Sequence, residues 1–135
     1  MNFLGSIHDD HFDLQLSDDI AYGFDGNDVF VDGFATSDDM MYGGIGNDRF
    51  TTHAGNDAMY GGAGNDEFWV LNSTGNVTVR GGKGDDDMIV ISRSIFAGGE
   101  AQFLDDYSKS GAIFDLIGEV GYLDIKGVEL IMWVA

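Results

Sequence analysis

Aspartates recur in this chain at a fixed distance behind clusters of glycine. Asp48 closes Gly43-Gly44-Ile45-Gly46-Asn47-Asp48, Asp66 closes Gly61-Gly62-Ala63-Gly64-Asn65-Asp66, and Asp86 closes Gly81-Gly82-Lys83-Gly84-Asp85-Asp86. The chemistry open to such a segment is oxygen donation. Glycine permits the positive φ of a tight turn and lets backbone carbonyls converge, and a carboxylate beside them completes a set of hard ligands. An apolar residue follows two positions after each aspartate (Phe50, Phe68 and Met88), giving a unit Gly-Gly-x-Gly-x-Asp-x-apolar-x.

A fixed period means that each copy is one small structural unit that gains a core only by stacking on its neighbours. Extending the frame outward yields degenerate copies beginning at Gly5, Leu14, Gly23, Gly33, Thr52 and Asn72, with Asp32, Tyr42 and the pair Val70-Leu71 read as insertions. The eighth position then runs Phe12, Ala21, Phe30, Met40, Phe50, Met59, Phe68, Val79, Met88, apolar throughout. The last three positions of each copy predict a short strand whose alternation turns the eighth residue inward and the seventh and ninth outward. One inward residue per strand implies a thin coil of two parallel sheets with two repeats per turn. Copies of equal parity stack about 4.8 Å apart.

A core this thin gains roughly 1.5–3 kcal/mol per buried side chain against about 1–2 kcal/mol of backbone ordering per residue, so burial alone is not expected to hold the coil. The missing contribution is a cation. Odd copies stack Asp10, Asp28, Asp48, Asp66 and Asp86, and without a metal adjacent carboxylates at that spacing repel by roughly 3 kcal/mol per pair. Calcium takes six to eight oxygens at flexible geometry and matches carbonyls plus carboxylates. The even copies, with Asp19, Asp38, Asp57 and Val77 at the sixth position, offer poorer turns. The expectation is a one-sided array, with weak sites at most around Asp19, Asp38 and Asp57.

Over Gly5 to Ile89 these nonapeptides resemble the RTX, or hemolysin-type, calcium-binding repeats. The resemblance implies an all-β fold, a parallel β-roll, with several Ca2+ ions held between turns by carbonyls of the first four positions and the Asp of the sixth. It nominates Asp10, Gly23, Asp25, Gly26, Asp28, Gly43, Gly44, Ile45, Gly46, Asp48, Gly61, Gly62, Ala63, Gly64, Asp66, Gly81, Gly82, Gly84 and Asp86. It also implies a secreted bacterial protein, exported by a type I system that reads an uncleaved C-terminal segment. The ending Glu129-Leu130-Ile131-Met132-Trp133-Val134-Ala135 is distantly similar to such a signal, but its composition favours a terminal strand that seals the coil.

Composition sets bounds. Of 135 residues, 24 are acidic and 6 basic, a formal net charge of −18, which argues against nucleic acid and anionic membranes as partners. There is no cysteine, so the stapling role of a disulfide in a secreted protein would fall to calcium. No apolar run is long enough to span a membrane, and Met1 to Gly5 lacks the features of a cleaved signal peptide. Residues 1–89 are expected to form the roll, and residues 90–135, which leave the period, a β-rich C-terminal cap of the same compact unit.

Rival chemistries are weaker. Phosphate loops need a helix after the glycines, and an EF-hand needs a different spacing. His8, His11 and His53 read as solvated loop residues rather than a zinc site. Asp105, Asp106 and Asp115 have no recognisable catalytic partner, and no nucleophile elbow or cysteine nucleophile is present, so an enzyme is not expected. The ninth positions Tyr22, Met41 and Tyr60, with Val31, Trp69 and Ile89 on the other sheet, predict outward apolar stripes. Such stripes suit the cap, a second copy of the chain in a homodimer, or a protein or polysaccharide partner.

Overall fold

A computed structural model describes residues 1–14, 16–33, 36–71, 75–84, 86–92, 113–115, 122–128 and 130–134. In chain order the strands are β1 (Asn2–Leu4), β2 (His11–Leu14), β3 (Ile20–Asp25), β4 (Val29–Asp32), β5 (Met40–Ile45), β6 (Arg49–Thr52), β7 (Asp57–Ala63), β8 (Glu67–Val70), β9 (Val77–Lys83), β10 (Met88–Ser92), β11 (Ile113–Asp115), β12 (Tyr122–Lys126) and β13 (Leu130–Val134). Strands β1 to β10 alternate between two sheets, ordered β1-β3-β5-β7-β9-β12-β11 and β2-β4-β6-β8-β10-β13. Every neighbouring pair is parallel except β11 with β12. This is the two-sheet parallel β-roll that the nine-residue period predicts.

The core is a pair of facing columns. Phe12, Phe30, Phe50 and Phe68 stack ring on ring, with centroids 4.8, 4.8 and 4.9 Å apart, because parallel strands in register place like residues one strand spacing apart. Ala21, Met41, Met59 and Val79 face them, all fully buried. Beyond residue 92 the coil is extended by β12, which continues β9 and buries Ile125, and by β13, which pairs in parallel with β10. β13 thus stands at the edge of its sheet, beside β10. Arg80 ties β12 down through an ion pair with Asp124 at 2.7 Å.

Two copies sit one residue away from the frame inferred from sequence. Met41, not Met40, pairs with Ala21 and Met59, and Ile89, not Met88, pairs with Phe68. Met41 and Ile89 are fully buried, whereas Met40 is 36% exposed. Each slip occurs where tandem residues satisfy either frame: Asp38-Asp39 before Met40-Met41, and Asp85-Asp86-Asp87 before Met88-Ile89. A one-residue shift exchanges the faces of a strand, so the outward tyrosine row is Tyr22-Tyr42-Tyr60. Tyr42 is thus not an insertion, and Met41 and Ile89 are not outward residues.

A second correction concerns the number of inward residues. The strands of the phenylalanine sheet bury not only the eighth position but also the residue two further on, the column Leu14, Asp32, Thr52, Val70 and Ile91, all fully buried. Asp32 and Val70, read as insertions, therefore belong to the interior.

The register is testable by truncation. Met41→Ala should cost about 2–5 kcal/mol through loss of contacts and a residual cavity, and Met40→Ala about 0.5 kcal/mol as a surface change, measured by denaturant unfolding at saturating calcium. Equal costs would restore the frame inferred from sequence.

Candidate metal centre

The odd turns carry the chain from the end of β3, β5, β7 or β9 into the following strand of the other sheet. Their glycines serve two different physical needs. Gly44 has φ of +119° and Gly46 of +140°, conformations that side chains rarely adopt. Gly43 is instead required by space, since a Cβ there would overlap Oδ2 of Asp48 and lie 2.6 Å from the carbonyl oxygen of Gly61 in the next turn. Phe24 holds the second position of its turn at φ of +78°, a strained conformation for a bulky residue.

The sixth-position aspartates form a ladder down the interior edge. Oδ1 of Asp28 accepts the backbone N–H of Asp10 at 2.8 Å, Oδ1 of Asp48 that of Asp28 at 2.8 Å, Oδ1 of Asp66 that of Asp48 at 2.9 Å, and Oδ1 of Asp87 that of Asp66 at 2.8 Å. This arrangement fixes each carboxylate and leaves its second oxygen turned to the glycine cradle. Oδ2 of Asp28, Asp48 and Asp66 is buried and has no hydrogen-bond partner. At the first turn the pattern ends, because Oδ2 of Asp10 accepts from the backbone N–H and hydroxyl of Ser6 at 2.6 and 3.0 Å.

Burial without a counter-charge shifts these groups. Desolvation, reinforced by the neighbouring aspartates, pushes Asp48 up to about 6 and Asp66 up to about 7, and raises Asp28 as well, despite the opposing backbone hydrogen bonds. Buried carboxylate oxygens of this kind require a proton or a cation. A calcium ion fits the donor set: hard carboxylate oxygens already oriented, carbonyls of adjacent glycine turns close by, and a space that a single Cβ would fill. The residues that would hold it are Asp28, Asp48, Asp66 and Asp87 with the glycine carbonyls around them.

Most of the sequence-nominated residues stand where the repeat frame puts them. Gly23, Gly43, Gly61 and Gly81 lie against Oδ2 of Asp28, Asp48, Asp66 and Asp87 respectively. The carbonyls of Ile45 and Ala63 accept the N–H of Gly26 and Gly46 in the preceding turns at 2.9 and 2.8 Å, and Gly62, Gly64, Gly82 and Gly84 each pack on the backbone of the turn before. Asp25 is exposed. Asp86 is exposed and lies one residue before the ladder position, which Asp87 occupies.

On the even flank the same slip moves Asp38 out of the buried row. Asp38 is exposed and joins a separate outer ladder, in which its N–H donates to Asp18 at 3.0 Å and its Oδ1 accepts from Asn56 at 2.8 Å. The buried row is Asp19, Asp39 and Asp57, linked by Asp19 N–H to Asp39 at 2.8 Å and Asp39 N–H to Asp57 at 3.0 Å. Asp39 and Asp87 were thus missed. Their only signal in the sequence is that each precedes an inward apolar residue by two positions once Met41 and Ile89 are chosen for the core. Asp115 lies in β11, and Asp105 and Asp106 lie outside the described residues.

Comparison with protein families gives a match to the RTX calcium-binding nonapeptide repeat, in four copies, over residues 4–31, 35–68 and 73–89. The chain belongs to this family. No curated protein and no solved structure gave a significant match. RTX repeats are calcium-binding elements, and the ladder of buried aspartates lies wholly within the matched residues.

The raised carboxyl groups make the metal-free roll sensitive to pH. Their folded-state pKa exceeds the ordinary value of 3.8, so the folded chain holds protons more tightly than the unfolded one. The resulting stabilisation is complete below about pH 4 and is lost as pH rises through about 6 to 7. In chelator the strand signal should therefore be regained as pH falls from about 8 to about 5. A flat or opposite profile, followed by circular dichroism, would contradict the buried ladder.

Proposed function

We propose that this chain is a calcium-dependent folding module, a β-roll that assembles outside the cell when calcium neutralises the carboxylates of its odd turns. The single observation that carries the reading is the row of buried Oδ2 atoms of Asp28, Asp48 and Asp66, oriented by their own backbone hydrogen bonds and lacking any donor. The net charge of −18 adds a general self-repulsion that calcium relieves. Where calcium is scarce the chain stays open and suited to export, and where calcium is plentiful binding and folding are one event. Repeats of this family occur typically in secreted bacterial proteins, and export by a type I system that reads the C-terminal segment fits this logic. The module acts by binding and not by catalysis.

A second, compatible reading concerns the outer face. Tyr22, Tyr42 and Tyr60 stack with centroids 4.9 and 4.7 Å apart and planes within 7°, a half-buried strip of parallel rings of the kind that suits a saccharide. Polysaccharide binding at fixed calcium, lost in Tyr42→Ala with folding intact, is the expected result. Equal binding by that variant would remove the strip from consideration.

Circular dichroism during a calcium titration tests the principal reading. Chelator should abolish the strand signal and calcium restore it, with magnesium a poor substitute because it dehydrates reluctantly and demands tighter geometry. A strand signal and melting temperature unchanged in chelator would overturn it.

A further inference from the structure

The column of inward residues formed by Leu14, Asp32, Thr52, Val70 and Ile91 is apolar at both ends and polar in the middle. Against that middle stand Asp39, immediately before β5, and Asp57, at the start of β7 in the other sheet. Asp32, Asp39 and Asp57 are 0%, 0% and 2% exposed, and each brings a carboxylate oxygen to within 4.8 Å of the other two. Only Asp39 and Asp57 occupy the repeat's aspartate position. Asp32 comes from the end of β4, on the opposite sheet, and has no counterpart in the odd ladder.

Counting donors shows that the cluster is incomplete. Asp39 Oδ1 accepts from Asp19 N–H, Asp57 Oδ1 from Asp39 N–H, and Asp32 Oδ2 from His53 N–H at 3.2 Å. Ser37 approaches Asp39 at 3.4 Å. The hydroxyl of Thr52 lies against Oδ2 of both Asp57 and Asp32, but it has one proton and can serve only one of them. Oδ1 of Asp32, fully buried, has no donor at all, and it belongs to a carboxylate that lies within 4.8 Å of those of Asp39 and Asp57. Among the described residues no lysine or arginine pairs with any of the three. Three buried carboxylates this close together need a positive charge among them.

We propose that Asp32, Asp39 and Asp57, with the hydroxyl of Thr52, form a separate calcium site on the even flank that bridges the two sheets. The even side is then not merely a weaker copy of the odd one. Its site has an additional carboxylate, and charge count is one of the means by which calcium sites raise affinity. The chemistry is that of a hard divalent cation, since all the donors are oxygens. A shared proton is the alternative occupant. The proposal rests on the calcium reading of the roll but makes a distinct claim about where one ion sits.

The test is Asp32→Asn, which preserves shape and an acceptor for His53 N–H and Thr52 while removing one charge. Calorimetric titration should show one fewer calcium ion per chain than wild type, while Asp48→Asn loses calcium from the odd ladder and keeps the ion bound by Asp32. Wild-type stoichiometry in Asp32→Asn would overturn the proposal and leave the odd ladder standing. A wild-type protein that binds no calcium would instead overturn the general reading. Should Asp32→Asn fail to fold, anomalous scattering from calcium-loaded wild-type crystals decides. A peak within about 2.3–2.6 Å of an Asp32 carboxylate oxygen supports the site, and no peak there overturns it.

Discussion

The structure depends on one contact repeated from turn to turn: an aspartate carboxylate accepts the backbone N–H of the equivalent aspartate in the preceding odd turn. That hydrogen bond orders the carboxylate, sets the spacing of the turns, and uses only one of its two oxygens. Everything else in the odd turns follows from the position of the remaining oxygen. The first glycine must lack a side chain to leave room for it, the second and fourth must turn the backbone around it, and the strands must stay in register for carboxylates to align. A fold built this way carries a concentrated negative charge in its own interior.

The same geometry makes the apolar core regular and sets an electrostatic cost beside it. The phenylalanine stack supplies dispersion and excludes water, but the same parallel register that stacks rings at 4.8 Å also stacks aspartates. Register cannot be favourable for one column and avoided for the other. Protons can settle the conflict only as pH falls through about 6 to 7, and a divalent cation would settle it above that. On the proposed reading, a dependence on calcium would be a consequence of the architecture and not an addition to it.

The two flanks solve the same problem differently. On the odd side, neighbouring turns are nearly identical and the aspartates repeat in one line. On the even side the turns diverge in length and composition, and the regular row shortens to Asp19, Asp39 and Asp57 before Val77 ends it. Compensation comes across the interior, where β4 and β6 place Asp32 and Thr52 opposite that row in a column otherwise filled by leucine, valine and isoleucine. A polar patch of this kind is costly unless fully satisfied, and its persistence between apolar ends is what marks it as a site.

The sequence by itself determined the architecture. Local repetition specifies parallel coils because each copy must stack on its like, and the residues Phe12, Phe30, Phe50 and Phe68, with Asp28, Asp48 and Asp66, were legible directly from the glycine spacing. Tertiary structure decided the frame wherever the sequence offers two equivalent choices. Between Asp38 and Asp39, and between Asp86 and Asp87, local chemistry is indifferent, and the selection is made by whether Met41 and Ile89 or their neighbours meet the core across the strand pairing. Tertiary structure alone also brought Asp32 to Asp39 and Asp57, since these residues lie on opposite sheets and only the closing of the coil puts three carboxylates in one buried place.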